Sequence, residues 1–209
     1  MNGQREIWTH LLSGPRSEYL LRTAMWRMTR GLSIISGRAI SNGDPRIERV
    51  PISHVATHAG SPEEERVGIY LVMSGGLRGQ TIIILPLTNA LYLADLLMGD
   101  PPGTATELGE MERSALAEVG NLVVSAFLNT MARIKTIRAQ NPKAPSLMRP
   151  SPPAVMVDML GAILDVVVTP VAAVRDDLLI IEADFGDAQR TVQGCLWIIP
   201  DPAIEHLAA

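Results

Sequence analysis

The sequence predicts an α/β (α+β) fold, internally duplicated, in which one joined antiparallel sheet is flanked by two long pseudo-symmetric helices. Three observations predict it. Two long stretches place apolar residues at helical spacing. Each is followed, after an intervening segment, by a pair of β-rich runs that ends at proline. The order of these pieces repeats, and the best local match sets Gly79-Gln80-Thr81-Ile82-Ile83-Ile84-Leu85-Pro86 against Gly194-Cys195-Leu196-Trp197-Ile198-Ile199-Pro200, with Leu85-Pro86 and Ile199-Pro200 lying 114 residues apart.

From Ser17 to Ile35 the residues Leu21, Ala24, Met25, Met28, Leu32 and Ile35 recur three or four apart, giving a helix with one buried stripe that Gly37 ends as a C-cap. A turn at Asn42-Gly43-Asp44-Pro45 and a short mixed segment follow. Val67 to Met73 and Gln80 to Leu85 read as strands joined through Ser74-Gly75-Gly76, and Leu87 to Met98 has helical spacing through Leu91, Ala94, Asp95 and Met98. Gly99 to Gly103 is a linker.

Thr104 and Glu107 have the spacing of a capping box, and Glu107, Glu110 and Glu112 put negative charge where a helix N-terminus favours it. The helix runs to about Arg133, with Arg133 and Lys135 at its opposite pole. Ala139 to Pro153 holds five prolines, which suits a loop or extended excursion and excludes helix or central strand. An apolar segment (Ala154 to Val168), two strands (Leu178 to Ala183 and Thr191 to Ile199, with a turn near Gly186-Asp187) and a short terminal helix complete the chain. The expected organisation is one pseudo-twofold domain over 1–209, with repeat 1 at about 14–100 and repeat 2 at about 104–205, because two such halves bury each other's apolar faces.

Composition narrows the function classes. At 209 residues with 47% hydrophobic and 19% charged side chains, the chain has the makeup of a folded globule. A net charge of −4 calls for neither nucleic acid nor an anionic membrane as partner. The single cysteine, Cys195, forms no internal disulfide, sits among apolar neighbours and fits a reducing compartment. The first residues show no secretion signal, and the most apolar stretch, Met159 to Val174, is interrupted by Asp165 and Thr169-Pro170, short of the ~18–20 residues of a bilayer span. A cytoplasmic location is expected.

In the second long helix Ser114, Glu118, Asn121 and Ser125 fall at i, i+4, i+7 and i+11 and form a polar face, opposite a core stripe of Leu116, Val119, Val123, Ala126, Phe127 and Thr130. Glu118 and Asn121 are neighbours one turn apart. Taken alone, such a face is most simply a solvated one.

The run Ser114-Ala-Leu-Ala-Glu118-Val-Gly-Asn121-Leu, followed by Ala126-Phe127-Leu128-Asn129, closely resembles the signature helix of the CheC/CheX/FliY chemotaxis phosphatase family. Pro153-Ala154-Val155-Met156-Val157-Asp158-Met159-Leu160-Gly161-Ala162-Ile163-Leu164 resembles that family's second-repeat segment, and the duplicated helix-plus-hairpin plan matches its architecture. The resemblance covers nearly the whole chain, strongly from Glu110 to Pro202.

The resemblance implies a CheC-like fold and dephosphorylation of a CheY-type response regulator in chemotaxis or a related two-component pathway. It implies that Glu118 pairs with the regulator's active-site lysine, that the Asn121 carboxamide orients a water for in-line attack on the aspartyl phosphate, and that Ser114 and Pro153 support them. A carboxamide does not titrate near neutrality, so Asn121 would orient rather than act as general base. No metal or cofactor is expected in this chain, since Mg2+ would arrive on the regulator. CheD is a second candidate partner. The alternative reading is a non-catalytic CheC-like adaptor that binds CheD, a response regulator or the flagellar switch.

Two departures from the family pattern stand out. Family members with two sites repeat the Glu-x-x-Asn in the first helix, whereas aligning this chain on Gly37-Arg38 puts Tyr19 and Arg22 there, so the first site reads as degenerate and Arg22 as a solvated side chain in preference to an anion ligand. The gap from Asn121 to Pro153 is also longer than the family's. No acidic residue occurs between Glu118 and Asp158, while Arg133, Lys135, Arg138, Lys143 and Arg149 do, a flank that would either steer an acidic regulator surface or serve as a plain soluble linker. His54 and His58 are four apart but lack a nearby third ligand, so they read as structural or solvated. Gly75, Gly76 and Gly79 read as turn glycines, and Trp26 and Trp197 as too isolated to form a stacking platform.

Overall fold

The computed structural model describes Trp8, Leu11, Leu12, residues 17–133 and residues 148–202. The first half runs α1 (Ser17–Ser36), β1 (Ser41–Asn42), β2 (Arg46–Pro51), a 3-10 turn (Ile52–His54), α2 (Val55–Ala59), β3 (Glu65–Ser74), β4 (Gly79–Pro86) and α3 (Leu87–Met98). The second runs α4 (Glu110–Arg133), β5 (Arg149–Pro150), β6 (Ala154–Met159), α5 (Leu160–Ala172), β7 (Asp177–Gly186) and β8 (Gln193–Pro200).

All strands join one antiparallel sheet. β4 and β8 pair at its centre from Gly79↔Pro200 to Ile84↔Cys195, and each also pairs with the other strand of its own hairpin, β3 or β7. At the edges the halves cross over. β2 of the first half lies on β7 from Arg46↔Glu182 to Pro51↔Asp177, and β6 of the second lies on β3 from Tyr70↔Ala154 to Glu65↔Met159. The two-residue pieces β1 and β5 extend those edges in the same sense, Ser41 opposite Gly186 and Arg149 opposite Ser74.

The central strands are apolar on both faces because both faces are covered. Ile83, Leu85, Leu196 and Ile198 point into a large core under α1, α3 and α4, while Ile82, Ile84, Trp197 and Ile199 point into a second core under α5. By length and composition α4 could cross a membrane, yet half of its most apolar stretch is buried in the fold, as in a core helix.

Several expectations change. The short mixed segment after Pro45 contains β2. The apolar segment from Ala154 divides at Met159 into strand β6 and helix α5, whose buried Leu160, Ile163, Leu164, Val167 and Val171 keep helical spacing with Pro170 tolerated in the last turn. The capping box at Thr104 and Glu107 does not form. Helix α4 starts at Glu110, and the backbone N–H groups of Gly103, Thr104 and Ala105 instead donate to the buried Asp95 carboxylate at 2.7, 3.1 and 2.8 Å. Asp95 folds the linker against the end of α3, so Thr104 belongs to a turn six residues short of the helix. Of the proline-rich segment, Arg149-Pro150 forms an edge strand, and residues 134–147 lie outside the described residues, as does the expected terminal helix.

Candidate functional site

Helix α4 rests on β3 through its apolar side. Leu116, Val119, Val123, Phe127 and Thr130 are buried as the spacing requires, whereas Ala126, placed with them by sequence, is half-buried and faces the opposite groove. Gly120 lets the helix approach the sheet closely, because a Cβ there would stand 2.6 Å from Ile69 Cγ2 and 3.2 Å from Leu71 Cδ1. The same Cβ would lie 3.6 Å from Pro153, so Pro153 packs against the inner side of the helix at the level of Glu118 and Asn121.

On the outer side Glu118 and Asn121 are both exposed and share an open groove of about 760 Å³ with Ala115, Leu122, Ser125, Ala126 and Asn129. Ile35 of α1 and Leu97 of α3 complete its walls. Among the described residues neither the Glu118 carboxylate nor the Asn121 carboxamide has an intramolecular hydrogen-bond or ion-pair partner, so both remain available to a visitor. Ser114 is exposed on the same stripe but lies outside the groove lining. The structure thus brings together Glu118, Asn121 and Ser125, leaves Ser114 one turn away, and puts Pro153 beneath the helix. Sequence reasoning did not assign Asn129 a place, although extending the Ser114-to-Ser125 stripe by four residues reaches it. Ile35 and Leu97 come from distant elements, and although Ile35 reads as part of the apolar stripe of its own helix, nothing local ties either residue to this groove.

The first helix differs. Tyr19 and Arg22 are exposed, but Arg22 is engaged: its Nη2 meets Glu18 at 2.9 Å, and Asp44 takes another nitrogen. The hydrogen bond to Glu18, with the charge of Asp44, raises its pKa above the ordinary guanidinium value. Arg22 is therefore an ion-paired surface residue, where sequence alone suggested a merely solvated one. Of the basic flank, Arg133 and Arg149 are exposed, and Lys135, Arg138 and Lys143 lie outside the described residues.

His58 also departs from expectation. The His54 ring lies 3.3 Å from the hydroxyl of its neighbour Ser53, but His58 Nε2 lies 3.1 Å from Glu182 Oε2, with Glu48 completing a set whose donor atoms all fall within 4.8 Å of one another. These partners come from β2 and β7, out of reach of any local spacing rule. Cys195, predicted buried, is half-buried on β8, where burial and the adjacent Asp184 and Glu182 push its thiol pKa up.

No family model matches the chain. It is 26% identical over 146 residues to the CheY-P phosphatase CheC of Bacillus subtilis, an alignment that takes in 68% of this chain and 66% of that protein, just under two thirds of the relative's length. Among solved structures it resembles FliY of Thermotoga maritima, with a TM-score of 0.67 at 19% identity over 92% of this chain and 93% of that one. It also resembles CheX in the CheX–CheY–BeF3–Mg2+ complex of Borrelia burgdorferi, with a TM-score of 0.52 at 16% identity over 85% of this chain and 96% of that one. The likeness to these structures lies in the fold. The chain is thus similar in sequence to CheC and shares its fold with FliY and CheX.

Proposed function

We propose that this chain hydrolyses the aspartyl phosphate of a CheY-type response regulator, in chemotaxis or a related two-component pathway of the cytoplasm. The observation that carries the reading is the pairing of a carboxylate and a carboxamide, one turn apart on an exposed helix face, in a groove where neither has an intramolecular partner among the described residues.

Glu118 pairs with a lysine of the regulator and fixes register, while Asn121 holds a water in line with the phosphorus. The water oxygen forms the new P–O bond as the bond to the aspartyl oxygen breaks, which releases phosphate and restores the regulator's carboxylate. Phosphoryl transfer asks mainly for positioning and charge stabilisation, which a fixed carboxamide and an ion pair supply. This chain brings no metal of its own to that step, and Mg2+ comes with the regulator. The CheX of like fold was crystallised with CheY, BeF3 and Mg2+. In this reading the chain is one pseudo-twofold unit whose second repeat works and whose first is degenerate. The matching edge ladders on β7 and β3 support the duplication, and Tyr19 and Arg22 support the loss.

The test is dephosphorylation of a cognate phosphorylated regulator by the native chain and by Asn121→Ala. A catalytic role predicts a loss on the order of 10²-fold, as for other single groups that orient or stabilise reacting atoms. An unchanged rate would instead indicate an adaptor that binds the regulator, CheD or the flagellar switch.

A further inference from the structure

On the sheet face opposite the α4 groove, β2, α2 and β7 bring together three side chains that the phosphatase reading leaves unused. We propose that Glu48, His58 and Glu182 form a binding site for one divalent transition-metal ion of the zinc type. The ligand atoms lie within 4.8 Å of one another, and His58 Nε2 and Glu182 Oε2 are already 3.1 Å apart. Donors about 2.1 Å from a tetrahedral zinc stand roughly 3.4 Å from each other. Closure therefore needs only a small rotation of Glu48, whose side chain sits half-exposed on the edge strand.

Glu182 is buried and already oriented. Arg46 donates to its Oε1 at 2.9 Å and to Asp184 at 3.0 Å, which turns Oε2 toward His58. A carboxylate held on one oxygen by an outer partner, with the other oxygen presented, is the arrangement that supports first-shell ligands in metal sites. The charges point the same way. Glu48, Glu182 and Asp184 face a single guanidinium, Arg46, leaving an excess of two negative charges that a dication neutralises. An imidazole among carboxylates favours zinc, nickel or copper over magnesium or calcium. The ion would take the place of the direct contact between His58 Nε2 and Glu182 Oε2.

The experiment is calorimetric titration of the chelator-treated 209-residue chain with zinc chloride, alongside His58→Gln, Glu48→Gln and, as control, His54→Gln. The site predicts one zinc per chain, a rise in Tm on zinc addition, and at least a tenfold weakening in the His58 and Glu48 variants with the His54 variant unchanged. Should His58→Gln fail to fold, the edge-strand variant Glu48→Gln carries the comparison. Absence of stoichiometric binding, or binding that survives in both ligand variants and so belongs to other histidines, overturns the proposal.

Discussion

Asp187 shows how a single carboxylate shapes the β7–β8 turn. Its oxygens accept from the Thr191 hydroxyl at 2.5 Å and from the backbone N–H groups of Thr191 and Val192 at 2.8 and 3.1 Å. Burial pushes its pKa up, but these bonds, with the charge of Arg38, outweigh that and hold it below the ordinary carboxylate value. A depressed folded pKa means that the stabilisation is present in full above the unfolded value of about 3.9 and is lost as pH falls through the folded one. Asp187→Asn should therefore cost about 1–2 kcal/mol at pH 7 and progressively less as pH falls below about 4 toward the lower folded value, where the carboxyl of the folded protein itself becomes protonated. Urea unfolding of both proteins at pH 7 and pH 3 checks this. At this scale helical geometry was enough to make neighbours of Glu118 and Asn121, which lie three apart, while their proposed role rested on the family resemblance. Sequence reasoning could not reach the contact between His58 and Glu182, because 124 residues separate them.

At the scale of elements, α4 depends on a glycine where it meets β3. A methyl group at residue 120 gains the roughly 1 kcal/mol by which alanine exceeds glycine in a helix, but it would press to 2.6 Å from Ile69. Overpacking typically costs about 1–3 kcal/mol. Gly120→Ala should thus lower Tm and, if the proposed function holds, reduce the rate of regulator dephosphorylation by lifting the helix from the sheet, even though no exposed group changes. Thermal unfolding and single-turnover dephosphorylation measure the two effects. The long helices were legible because their apolar stripes are complete. Helix α5 was obscured by the β-branched run Val166-Val167-Val168 and by Pro170, although its buried positions keep helical spacing. Strand β2 was hidden for another reason: Arg46, Glu48 and Arg49 mask its alternation, as suits an edge, and its partner lies in the other half. The buried Asp95 was the available sign that the linker was tied down, since an acid on an apolar helix stripe needs donors.

Across the whole molecule each half completes the sheet of the other. Strand β2 covers the edge of the second hairpin and β6 covers the edge of the first, while β4 and β8 form the seam. A fragment carrying residues 104–209 alone would expose the long apolar flanks of β7 and β8 and is expected not to fold. Co-expressed with residues 1–103, it should recover a native-like complex, since the cut falls in the short linker. Circular dichroism and size-exclusion chromatography of the fragments, apart and together, decide this. The repeated order of elements was readable in the chain because each copy keeps its own local signals. The crossing of edge strands was not, because pairing between distant segments leaves no mark in either one. This reciprocity bears on inheritance. A copy whose helix no longer presents the Glu and Asn pair cannot be discarded, for it still lends its neighbour a border and a seam. On the proposed function, substitutions can accumulate on its outward helix face while its strands stay under selection, so a silent half would persist as a permanent scaffold for an active one.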